Sequence, residues 1–191
     1  MNLILASNNA GKIKEINELL NGAHHIISLQ DAGITEDIPE PFFTFEENAL
    51  AKAKYAFEKT GIVTFAEDSG LVVPALNGDP GVFSARYAGE PKNDLANTQK
   101  LLNELEGITE REAYYTTIIC IAGLEEVAYF SGKCEGRIAT EMKGNGGFGY
   151  DPVFIPNGYD QTFGELPFAV KAGISHRAKA MKSFIAFLAA L

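Results

Sequence analysis

Residues 3–22 read LILASNNAGKIKEINELLNG, and this stretch decides the fold. Leu3 to Ala6 make a short apolar run closed by Ser7-Asn8-Asn9; Ile13, Ile16, Leu19 and Leu20 then recur at helical spacing until Asn21-Gly22 stops them. Strand, polar turn and helix in that order build an α/β layer, because a buried strand needs a helix to cover it. Further along, Thr44 caps a second helix and Glu47 completes a capping box. Ala49, Leu50, Ala53, Ala56 and Phe57 form its apolar stripe, and Gly61 ends it. Ile62 to Ala66 reads as a buried strand running into Glu67-Asp68-Ser69-Gly70, and Leu71 to Ala75 as another short strand before the turn Asn77-Gly78-Asp79-Pro80-Gly81. A third helix carries Leu95, Leu101, Leu102 and Leu105 between Asn93-Asp94 and Gly107. Ala113 to Ala122 and Val127 to Cys134 read as an antiparallel hairpin about Gly123-Leu124-Glu125-Glu126, and Ala178, Met181, Phe184, Ile185 and Leu188 mark the last helix. The expected fold is therefore α/β with a mixed sheet, in a single domain over residues 1–191.

Composition narrows the function. A net charge of −9 argues against non-specific binding to nucleic acid or to an anionic membrane, which draws on surplus lysine and arginine. No apolar run approaches the ~18 residues that span a bilayer, and Met1-Asn2-Leu3 does not begin a signal peptide, so a cytoplasmic location is expected. Cys120 and Cys134 fit reduced, packed thiols. His24 and His25 read as solvated surface.

Four groups of residues carry chemistry. Ser7-Asn8-Asn9-Ala10-Gly11-Lys12 leaves a strand and enters a helix, where backbone N–H groups, the helix dipole and the Lys12 ammonium would cradle a phosphate. The Walker spacing is absent, and the same residues are also ordinary turn formers. Glu40, Glu46, Glu47, Glu67 and Asp68 offer only oxygen ligands, which suits Mg²⁺, although Glu46 and Glu47 also suit the first turn of a helix. Asp68 follows a buried strand, where an ionised carboxylate needs a cation or hydrogen bonds. Gly144-Asn145-Gly146-Gly147-Phe148-Gly149 spells GxGxxG, but Pro152 disfavours the helix that a dinucleotide fingerprint must open; the segment reads as a glycine loop presenting Phe148, a base-stacking ring or a core side chain. Lys171 and Ser175-His176-Arg177 place donors around the start of the final helix, with Ser175 a candidate cap.

With these residues in view, the chain resembles the inosine triphosphate pyrophosphatase family, also called Ham1-like. The resemblance rests on Ser7 to Lys12, Phe45-Glu46-Glu47-Asn48-Ala49, Glu67-Asp68-Ser69-Gly70-Leu71, Pro80-Gly81, Ser84-Ala85-Arg86-Tyr87, Phe148-Gly149-Tyr150-Asp151-Pro152 and Ser175-His176-Arg177, in that order. It implies an elongated fold of two lobes flanking a nucleotide cleft, usually a homodimer, and hydrolysis of abnormal purine nucleoside triphosphates (ITP, dITP, XTP) to monophosphate and pyrophosphate. By the same resemblance Ser7, Asn8, Asn9, Ala10, Gly11, Lys12 and Lys52 line the triphosphate, Glu40 and Asp68 serve Mg²⁺, and Asp68 is the proton acceptor. Ser69, Phe148, Gly149, Tyr150, Asp151, Lys171, His176 and Arg177 contact the nucleotide, and the Lys171 to Arg177 donors are expected to face the purine 6-oxygen. Ala172-Gly173 departs from the asparagine that commonly follows the lysine. A nucleotide-binding regulator, or a pyrophosphatase for other modified nucleotides, is the alternative.

Overall fold

The computed structural model describes residues 2–22 and 24–191. Its sheet has six strands in the order β2-β1-β3-β4-β5-β6. They are β1 (Asn2–Leu5), β2 (His25–Ser28), β3 (Thr64–Val72), β4 (Glu112–Ala122), β5 (Ala128–Ile138) and β6 (Phe154–Pro156). β1 runs parallel to both β2 and β3, with Leu3 opposite Ile26 and Ile4 opposite Thr64, whereas β5 and β6 are antiparallel. The sheet is thus mixed, as the sequence predicts. Among the described residues five α-helices accompany it: α1 (Ala10–Leu20), α2 (Phe45–Thr60), α3 (Asp94–Glu104), α4 (Phe168–Ile174) and α5 (His176–Leu188).

The chain divides into two compact units, the first made of residues 1–68, 117–132 and 177–191, the second of 69–116 and 133–176. In the first unit the two-residue period of the strands sorts side chains onto two faces. Leu3, Leu5, Phe65, Ile119 and Ile121 pack with Ile16 and Leu20 of α1 and with Met181, Phe184 and Leu188 of α5. Their neighbours Ile4, Ala6, Ala66, Ile118 and Cys120 pack with Ala49, Ala53 and Ala56 of α2. The second unit has its own core, including Leu71, Leu101, Leu105, Tyr115, Ile138, Phe154 and Phe163.

Several expectations are corrected. β3 continues through Glu67-Asp68-Ser69-Gly70 to Val72, so Asp68 lies inside a strand and not at its end. The strand survives its charges because each finds a buried partner, described below, and because the Leu71 N–H donates to Ser84 Oγ at 2.9 Å. β5 runs four residues past Cys134 to Ile138, its Lys133, Glu135 and Arg137 exposed on one face. Gly136 permits this, since a Cβ there would stand 2.2 Å from the Ile155 carbonyl oxygen. His25 opens β2 instead of lying in a connection. Leu95 is 67% exposed and is no part of the α3 stripe. Lys171 sits on α4, a short helix that the periodicity does not reveal, and Ser175 separates α4 from α5. Both cysteines are buried thiols, and among the described residues no helix is long and apolar enough to cross a membrane.

Candidate active site

In the first unit, Asn9 caps α1, its side-chain oxygen accepting from the Lys12 N–H at 3.1 Å, while Ser7 Oγ accepts from the Asn9 N–H at 3.2 Å. The first turn of α1 carries no acidic residue, so its positive end is not offset locally. Asn8 donates to Asp37 at 3.2 Å. Ser7 to Lys12 therefore form the strand-to-helix turn that the sequence predicts, with Lys12 Nζ 3.3 Å from Glu67 Oε1. Burial lowers the Lys12 pKa, and Glu67 opposes that shift.

On α2, Lys52 lies between two carboxylates. It pairs with Glu40 and approaches Asp68 Oδ1 at 3.4 Å. Burial alone would lower the Lys52 pKa, but Asp68 and Glu40 outweigh it and raise it. The Asp68 carboxyl is pushed up, by burial first, with Lys52 and Lys12 pulling the other way. Asn48, which is 1% exposed, donates to the Phe42 carbonyl and accepts from the Phe42 N–H, both at 3.1 Å, and so fixes the backbone two residues beyond Glu40. Asp68 Oδ2 is buried and, among the described residues, has no hydrogen-bond partner. An orphaned carboxylate oxygen beside Glu40 fits a hard divalent cation. Among the described residues no group of three His, Cys, Asp or Glu side chains is placed to hold a metal ion together.

The same unit holds Arg177. Its guanidinium is expected to face a purine oxygen, yet Nε and Nη2 donate to the two oxygens of Glu67 at 2.8 Å each and Nη1 donates to Glu15. Arg177 is 1% exposed, and an arginine so deep requires carboxylate partners. Burial would lower its pKa, but Glu67 and Glu15 together raise it. Both Glu67 oxygens are engaged by Arg177, and one also by Lys12.

The second unit holds Ser69, Phe148 to Asp151, Lys171 and His176. Lys171 Nζ pairs with Asp151 and lies 5.0 Å from the centre of the Phe148 ring and 5.6 Å from that of Phe163. Asp151 Oδ2 also accepts from the Phe148 N–H at 2.9 Å. Gly147 makes this possible, because a Cβ there would stand 1.9 Å from that same oxygen. His176 stacks on Tyr115, with ring centres 4.6 Å apart and planes 9° apart. Tyr150 is expected to touch nucleotide; it is instead 3% exposed, a core anchor whose hydroxyl donates to the Ser84 carbonyl at 2.8 Å. The loop opens no helix after Pro152, which confirms that it is no dinucleotide fingerprint.

Glu15, Asn48 and Asp94 hold groups of the candidate site in place, Glu15 through Arg177, Asn48 through the Phe42 backbone and Asp94 through the Gly149 N–H, and the sequence assigns none of them a role. For Asn48 the signal is a polar residue beside Ala49 on the buried edge of α2; for Glu15 it is a carboxylate beside Ile16, a weak mark on a helix rich in charge.

Known proteins resemble this chain along almost its whole length. The model of the Ham1 family matches residues 3–187. The dITP/XTP pyrophosphatase of Flavobacterium psychrophilum is 49% identical over 187 residues, covering 98% of each chain. That of Bacillus licheniformis is 48% identical over 191 residues, covering 97% of each. Among solved structures, the Ham1 protein of Staphylococcus aureus superposes with a TM-score of 0.90 at 41% identity, covering 100% of this chain and 99% of that one. A HAM1 protein from Coxiella burnetii gives 0.92 at 37% identity, with both chains covered completely. A lysine-ringed strand carboxylate, a glycine loop bearing an aromatic ring, and likeness of this extent in both sequence and fold lead to one conclusion: the chain belongs to the Ham1 family.

Proposed function

We propose that this protein hydrolyses abnormal purine nucleoside triphosphates, dITP, ITP and XTP, to the monophosphate and pyrophosphate, and so cleanses the nucleotide pool. The observation that carries the reading is the Asp68 carboxylate, its pKa raised and one oxygen unpartnered, beside the buried Lys52. The dITP/XTP pyrophosphatases that resemble it along their whole length support the substrate class.

Lys12, Lys52 and the N–H groups of Ser7 to Gly11 receive the triphosphate. Glu40 and Asp68 hold Mg²⁺, which when bound neutralises phosphate charge in the transition state. Asp68 takes the proton from the attacking water; a carboxylate whose pKa is raised is the better acceptor near neutral pH. The water attacks the α-phosphorus in line, and pyrophosphate leaves. Phe148 stacks on the base while Lys171 and His176 offer donors to its 6-oxygen. Adenine presents an amino donor there, so ATP leaves these donors unpaired at a cost of about 1–3 kcal/mol each. A second copy as partner and a cytoplasmic location complete the proposal.

Pyrophosphate release from dITP, ITP, XTP, GTP and ATP tests it directly. The first three should exceed ATP in kcat/KM by ~10²-fold or more. Asp68→Asn keeps the shape and removes the charge, and should lower kcat by about 10²–10⁴-fold. Equal rates on all five nucleotides, or a near-normal Asp68→Asn enzyme with Mg²⁺ saturating, would refute the assignment. A chelator should abolish turnover and added Mg²⁺ restore it, with Glu40→Gln demanding more of the ion.

A further inference from the structure

The glycine loop that carries Phe148 is fastened from outside itself. Asp94 is the first residue of α3, and its Oδ2 accepts a hydrogen bond from the Gly149 N–H at 2.7 Å. One turn later Thr98, only 2% exposed, donates from Oγ1 to the Asp94 carbonyl at 2.8 Å and reaches the Gly149 carbonyl at 3.3 Å. Asn93, not Asp94, caps this helix, its side chain accepting from the Ala96 N–H at 2.9 Å, so the Asp94 carboxylate is not needed as the cap. Gly149 has φ +60°, and Gly147 two residues earlier has φ +73°. Such backbone is soft unless something outside it decides its shape. The two consecutive N–H groups at Phe148 and Gly149 are held by different carboxylates, Asp151 from within the segment and Asp94 from 55 residues away.

We propose that Asp94 is a positioning residue for purine recognition, holding Gly149 so that the Phe148 ring keeps a fixed plane for the base; Thr98 supports it. The inference rests on the reading above that Phe148 stacks on the base. Removing the acceptor from the Gly149 N–H takes away no reacting group but frees two dihedrals beside the ring, so the effect falls on binding. A stacking surface that must first be ordered binds less tightly by the fraction of time it is in place.

The test is steady-state kinetics on ITP with Asp94→Ala, Asp94→Asn, Phe148→Ala and the double variant Asp94→Ala/Phe148→Ala, with Gly149 amide exchange followed by NMR. Asp94→Ala should raise KM about 10-fold while kcat moves less than about 2-fold, and should speed exchange at Gly149. Asp94→Asn retains an acceptor oxygen and should return KM to within about 2-fold of the parent. In the Phe148→Ala background the Asp94 substitution should add nothing further. Should Asp94→Ala fail to fold, Asp94→Ser replaces it, being compatible with a helix start but too short to reach the amide. An unchanged KM in Asp94→Ala beside a raised one in Phe148→Ala overturns the role of Asp94 and leaves base stacking intact. A full effect of Asp94→Ala in the double variant also overturns it. If Phe148→Ala itself leaves KM unchanged, stacking and its positioning residue both fall.

Discussion

Arg177 shows how a side chain that looks ligand-facing in sequence becomes an internal strut. It bridges Glu67 on β3 and Glu15 on α1, and Lys12 shares Glu67. Removing one partner of a buried ion pair leaves its counter-charges uncompensated, which costs about 3–5 kcal/mol. Arg177→Ala is therefore expected to lower stability by that order, measured by urea unfolding, and to lower turnover of every substrate rather than shift base preference. A changed ITP to ATP ratio with unchanged stability would return Arg177 to the base. Cys120 gives a pH signature. Burial pushes its thiol from 9.0 up to about 11, so the native state holds the proton through a range where the unfolded chain has released it. The contribution is complete below pH 9 and is lost as pH rises towards 11. Alkaline unfolding should ease across this window, and Cys120→Ala should flatten that part of the profile.

At the scale of elements, α2 is the part most fully written in the sequence. Thr44 Oγ1 accepts from the Glu47 N–H at 3.2 Å, as the predicted cap requires, while the Glu47 carboxylate accepts from the Thr44 hydroxyl at 2.6 Å, and Gly61 closes the helix at φ 69°. Thr44→Ala should cost about 1 kcal/mol of unfolding free energy, a value that chemical denaturation resolves. β3 is the opposite case. Its apolar pattern breaks at Glu67-Asp68, and hydropathy cannot show that the two charges are answered by Lys52, 16 residues before Asp68, and Arg177, 110 residues after Glu67. α4 escapes notice because seven residues are too few to display a period. The candidate site follows the same rule. Lys12, Asp68 and Phe148 are legible because their residue types sit at turns and breaks in pattern, whereas Lys52, inside α2, is reached only through the family resemblance. Asn48 and Asp94 are not, since each acts on a backbone group elsewhere in the chain.

For the molecule as a whole, a net charge of −9 surrounds a site whose cations are few and placed against carboxylates, so the protein meets a polyanionic substrate through local geometry and not through its general field. The interleaving of the two units has a further consequence, for synthesis. The first unit supplies residues 1–68 at the beginning, yet its core also needs residues 117–132 and the α5 side chains Met181, Phe184 and Leu188. Every residue of the second unit, 69–116 and 133–176, leaves the ribosome before residues 177–191 do. Leu3, Leu5 and Phe65, which share their cluster with Ile16 and Leu20 of α1, thus lack their partners Met181, Phe184 and Leu188 until α5 emerges. A nascent chain of this kind keeps apolar surface exposed until late in its translation.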